Sequence, residues 1–174
     1  MDIKLYLKHI SIVCDKECGG HCCLSGGCEI SPKDLDEVNI NTIKDLLNSG
    51  VVSVDAWEDM DTGRIFYLRM RHKDADIADF PIVPRECILH DSTGCRLEYM
   101  FRGKGARELI PHREDGKRKC KCNYSKSMCK DEWNEYQDII KEACKELDIE
   151  LKEQLDLSDT FSQMLKAMGI RGLF

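Results

Sequence analysis

Five cysteines fall within residues 14–28, at Cys14, Cys18, Cys22, Cys23 and Cys28. Cores use free cysteine singly as a small hydrophobe, so this crowding is not a packing pattern. It suits a metal ion or an iron–sulfur cluster, where several thiolates must converge on one centre. A second stretch places Cys87 and Cys95 on either side of Asp91-Ser92-Thr93-Gly94, a turn sequence that can fold as a hairpin and bring the two thiols together. Seven intervening residues are too many for a zinc knuckle, but the pair can complete a site begun elsewhere. The candidate metal ligands are therefore Cys14, Cys18, Cys22, Cys23, Cys28, Cys87 and Cys95. A third group, Cys120, Cys122 and Cys129, either builds a second site or consists of buried thiols. His21 is a further candidate ligand, although a lone loop histidine is more often solvated.

The elements carrying these residues follow from local patterning. Cys14, Cys18 and Cys22 share one face of a helix by spacing, while Gly19-Gly20 opposes a continuous helix. The reading that meets both is a helical turn bearing Cys14 and Cys18, then a Gly-Gly loop wrapping Cys22 and Cys23 round the metal. Adjacent Cys22 and Cys23 point different ways, so they serve two metals or one of them is a supporting buried thiol. The apolar residues of 3–13 fit either a strand or a helix. Ser31-Pro32-Lys33-Asp34 is a helix start, with an apolar stripe running to Leu47 over one helix or two broken near 39–41. Residues 51–57 and 64–70 read as a hairpin about Asp61-Thr62-Gly63. Residues 71–80 read as a loop with His72 facing solvent, and 100–119 as a basic, glycine-bearing loop. Trp133, Tyr136, Ile140, Ala143 and Leu147 form the stripe of the clearest helix, over 131–147, with Cys144 as a core thiol. Another short helix is expected over 148–157 and a last one from Ser158 to Gly169. The fold class is α+β: helices around small β-hairpins with a cysteine-rich metal site. It forms a single cysteine-cluster metal-binding domain over 1–174, with 149–174 a C-terminal helical extension.

Composition narrows the partners. The 174 residues are 33% charged and 42% hydrophobic, with a formal charge of −6. That size suits one domain with a real core. The acidic balance argues against nucleic acid, whose phosphates call for a basic surface. No apolar run approaches the roughly 20 residues of a membrane span, and the first residues lack the pattern of a signal peptide, so a cytoplasmic location is expected. Eleven cysteines in a reducing compartment point to metal or catalysis rather than disulfides, and an odd number cannot pair fully within the chain.

The pattern Cys14-x₃-Cys18-Gly-Gly-x-Cys22-Cys23, then Cys28 and the capped Ser31-Pro32-x-Asp34, then Cys87-x₇-Cys95, resembles the YkgJ-type cysteine-cluster family (CxxxCxxCC), described as zinc- or iron-chelating proteins. The resemblance covers 14–35 and 84–111, and 120–137 loosely. Family members often carry a further cysteine in the region that here reads 102–111 without one, which makes Cys120, Cys122 or Cys129 candidates to replace it. A similar cluster occurs in flagellin lysine N-methylases, so the resemblance implies metal-assisted enzymology somewhere in the family.

Structural zinc takes four ligands, and the two best stretches offer six or seven, a surplus that favours an iron–sulfur cluster, more than one metal, or one metal with redox-active thiols; the expected cofactor is an iron–sulfur cluster or iron, with zinc as the alternative. The C-x₃-C-x₂-C of radical-SAM enzymes, the bacterial ferredoxin run, Gly-rich phosphate loops and H-E-x-x-H are all absent. Three functions stay open. One is a metal- or cluster-binding module in electron transfer, sensing or metal handling. The second is a metalloenzyme whose basic loop would hold a small anionic substrate. The third is a structural zinc domain that binds a protein partner.

Overall fold

The strand Gly63–Met70 (β2) is exposed at Gly63 and buried at every residue from Arg64 to Met70. Phe66, Tyr67 and Leu68 have no accessible surface. A strand buried on both faces needs cover on each side, and the architecture supplies it. In the computed structural model residues 21–24, 28–59, 63–78, 85–92, 94–97, 101–114 and 116–152 are described, with backbone alone for 21, 22, 59, 109–114 and 117–121. The expectations for residues 3–20 and for a last helix from 158 lie outside them.

One edge of β2 pairs antiparallel with Val52–Asp59 (β1), from Val52 opposite Met70 to Asp59 opposite Gly63. This is the expected hairpin; Gly63 takes φ +81°, a region closed to most other residues. The other edge presents the backbone of Phe66, Leu68 and Met70, and each makes a hydrogen bond there. Gln137 accepts from the Phe66 amide at 2.9 Å and donates to its carbonyl at 2.8 Å, acting as a short stretch of strand. Ile30 N donates to Leu68 O and Met70 N donates to Cys28 O, both at 2.9 Å. The segment 28–30 thus lies against β2 as a third strand would.

Helices close the core. His21–Leu24 is a single turn (α1). Ile40–Asn48 (α2) starts at Asn39, whose side chain accepts from Thr42 N at 2.9 Å, and buries Ile43, Leu46 and Leu47. The Ser31-Pro32-Lys33-Asp34 signal yields only a 3₁₀ turn, Pro32–Asp34, complete with its capping box. The turn does not continue because Leu35 is extended, and because Asp34 also accepts from Lys104 N at 2.7 Å and pairs with Arg107. Lys126–Trp133 (α4) and Gln137–Glu146 (α5), joined by a 3₁₀ turn at Asn134–Tyr136, replace the single helix expected over 131–147. Cys129, Trp133, Ile140, Ala143 and Cys144 are their buried residues, with Tyr136 and Leu147 packed against the core from partly buried positions. α5 packs on α2 and β2, and α4 on β2. Residues 149–152 are irregular, so the described part of the helix expected over 148–157 is not helical.

Two short sheets complete the α+β arrangement. His90–Asp91 (β3) pairs with Gly94–Cys95 (β4), the hairpin expected between the downstream cysteines. The described residues of 101–119 are not the expected loop. They contain Lys104–Arg107 (α3) and then Leu109–Glu114 (β5), which pairs with Lys117–Cys122 (β6). Glycines suggested a loop, but Gly116 supplies the positive φ of the hairpin turn, while Gly103 and Gly105 sit where the chain presses on Glu29. No helix among the described residues is long and apolar enough to cross a membrane.

Candidate metal centre

β2 and its continuation act as a rail on which two cysteines are hung. Arg69 bridges Glu29, which fixes Cys28 beside Met70. Beyond the strand, His72 bridges Cys87, Ile88 N donates to Arg71 O at 2.9 Å, and Lys73 N donates to Glu86 O at 2.8 Å. The residue spacing along one strand therefore sets the separation of Cys28 from Cys87. Cys23 is tied in by its carbonyl, which accepts from Cys87 N at 2.6 Å. Cys95 arrives opposite His90 across the β3–β4 hairpin.

Cys23, Cys28, Cys87 and Cys95 all line one cavity, together with Met70, Leu89, Leu97, Arg102, Gly103 and Ala106. Its volume is ≈ 20 Å³, the scale of one water or one ion. Cys23, Cys28 and Cys87 are buried and Cys95 is partly exposed. Leu89 N lies 3.5 Å from Cys87 Sγ, as a donor toward a sulfur. The four sulfurs are not arranged as a finished coordination shell. Among the described residues no three His, Cys, Asp or Glu side chains converge closely enough to hold a metal.

The remaining candidates divide. Cys14 and Cys18 lie outside the described residues. Cys22 sits with Cys23 in the helical turn α1, not in the loop expected after Gly19-Gly20. Of the third group, Cys122 Sγ contacts Gly105 O at 3.2 Å and Tyr124 O at 3.1 Å. Cys129 is fully buried with its thiol toward Ile30 O at 3.8 Å, and burial pushes its pKa well above the ordinary thiol range. Both make backbone contacts of a structural kind, and neither lines the cavity.

His72 departs from its expected position: it is buried, 1% exposed, not solvent-facing. Its ring nitrogens lie 2.7 Å from Arg69 Nη1 and Nη2, and Arg69 Nε is 3.1 Å from Asp55 Oδ2. Tyr67 donates to the same Asp55 oxygen at 3.0 Å. Burial, reinforced by Asp55, pushes the Tyr67 hydroxyl far above its usual range, and burial also raises the Glu29 carboxyl. This charged group stiffens the rail from inside. His90 is held by Glu86, Nδ1 to Oε1 at 2.6 Å, and hydrogen bonds from Lys73 and then His90 lower the Glu86 pKa.

Sequence reasoning missed Met70 and Arg102 as cavity residues. Met70 reads as an ordinary strand residue. Arg102 is one of many basic residues in its region, and burial leaves no mark on composition. No family model matches the chain, and no curated protein or solved structure matches it. The likeness to CxxxCxxCC is also inexact, since three residues separate Cys18 from Cys22 where that pattern has two.

Proposed function

We propose that this chain is a metal-binding protein whose centre is held by Cys23, Cys28, Cys87 and Cys95, with Cys14, Cys18 and Cys22 completing or extending it. The observation that carries the reading is the shared cavity: cysteines from two segments distant in sequence, residues 23–28 and 87–95, line one small space. Four thiolates fit either a tetrahedral ion or a four-cysteine cluster. The three further cysteines of 14–22 exceed what one tetrahedral ion takes, which favours an iron–sulfur cluster or iron over zinc.

The resemblance to a family described as zinc- or iron-chelating supports the metal-binding reading. Anaerobic purification with elemental analysis and an absorption spectrum tests the proposal. Brown protein with sulfur-to-iron charge-transfer bands is expected. Colourless protein with stoichiometric zinc would replace the iron reading with the structural zinc one, and metal-free protein that takes up none on reconstitution would end both.

A further inference from the structure

Arg102 enters the cavity wall from the turn before α3. It is 3% exposed, and it is the charged residue among the described lining. Its position is fixed from several sides. Nε and Nη2 both donate to Leu97 O at 3.0 Å, two residues after Cys95. Arg107 Nη1 donates to the Arg102 carbonyl at 2.6 Å. Gly103 and Gly105 press so closely on Glu29 that a Cβ at either would stand 2.7 Å from Glu29 O or 2.8 Å from Glu29 Oε2. Gly105 N also donates to Glu29 O at 3.1 Å. The guanidinium is thereby held at Leu97, just past the Cys95 hairpin, while the glycines that follow Arg102 sit against Glu29, next to Cys28.

A guanidinium stays charged at every pH a fold survives. Thiolates around a divalent or trivalent ion leave the centre net negative, and in a wall of low dielectric that charge is costly unless a cation faces it. We propose that Arg102 is the charge-compensating residue of the metal centre, offsetting the net negative charge of a metal–thiolate group formed by Cys23, Cys28, Cys87 and Cys95 and so strengthening metal binding. It ligates nothing and acts through the ligands. The proposal rests on the metal-centre reading and adds to it a residue that no ligand motif contains.

The test is an anaerobic Co(II) titration of the full-length apoprotein against a competing chelator, followed by thiolate-to-cobalt charge-transfer bands. Wild type is compared with Arg102→Lys, Arg102→Gln and Arg102→Met. Loss of the charge is expected to weaken binding about tenfold or more, the scale seen when outer partners of metal ligands are removed. Arg102→Lys is expected to stay close to wild type, although it cannot reproduce the two-pronged grip on Leu97 O. Arg102→Met keeps the packed stem, so an uncharged variant remains if Arg102→Gln does not fold. Uncharged variants that bind as tightly as wild type would overturn the proposal, as would a lysine variant as weak as the uncharged ones. Wild-type protein that binds no Co(II) would overturn the metal centre itself, a result distinct from either.

Discussion

Cys144 and Cys87 are both buried cysteines, and their surroundings alone tell them apart. Cys144 lies on α5 in the helical core, where burial pushes its thiol up to about 11, so it stays neutral near pH 7. Cys87 lines the cavity beside three other cysteines. Cys144→Ala is expected to keep full metal content and cost about 1 kcal/mol, the scale of a small buried deletion. Cys87→Ser is expected to lose the metal, and elemental analysis beside a thermal melt separates the two. Glu132 makes a pH-dependent prediction. Burial alone would raise its pKa, but hydrogen bonds from Ser31, Tyr124, Lys104 and Lys33 outweigh it and bring it to about 2. A folded pKa below the unfolded one adds stability above the unfolded value of 4.5, and that stability is lost as pH falls from 4.5 toward 2. Glu132→Gln is therefore expected to lower stability by about 2 kcal/mol at pH 7, after allowing for screening of the lysines, with the difference from wild type shrinking as pH falls through that window. Denaturant melts at pH 7 and pH 3 check it.

At the scale of elements, β2 does most of the positioning. Its outer edge bonds to Gln137 and to the segment 28–30, and its continuation receives Cys87. α4 secures that segment from the far side: Trp133, fully buried, donates Nε1 to Ile30 O at 2.7 Å. Trp133→Phe keeps most of the packing and removes the donor, so a loss of about 1–2 kcal/mol is expected in urea denaturation. Asn39→Ala, which removes the α2 cap, is expected to cost about 1 kcal/mol in the same assay without changing metal content. The β1–β2 hairpin, the Cys87–Cys95 hairpin and the α5 stripe were legible because each rests on local pattern: alternating β-branched residues, a glycine turn, helical spacing. The 3₁₀ turn at Pro32–Asp34 was not, since a valid helix start is overruled by what Asp34 contacts seventy residues away. His72 was misread because its burial comes from pairing with Arg69, and Arg102 was not singled out because nothing in a basic run marks a residue that turns inward.

For the whole molecule, the cavity gathers the chain's ends of contact: α1, the segment 28–30, the end of β2, the β3–β4 hairpin and the turn before α3 all contribute to its wall. Sequence spacing singled out the cysteines as candidates, and pairing along β2 explains why those from distant stretches line one cavity. Because the ligands come from separate segments, metal binding would add directly to folding stability. Removing the metal with a chelator is expected to lower Tm by about 5 °C or more, and metal restores it; an unchanged Tm would mean the metal lies elsewhere. The most direct measurement is X-ray absorption at the edge of the bound metal in anaerobically purified protein. The account predicts a first shell dominated by sulfur at about 2.3 Å, which is lost in Cys87→Ser. A shell of nitrogen and oxygen alone would contradict it.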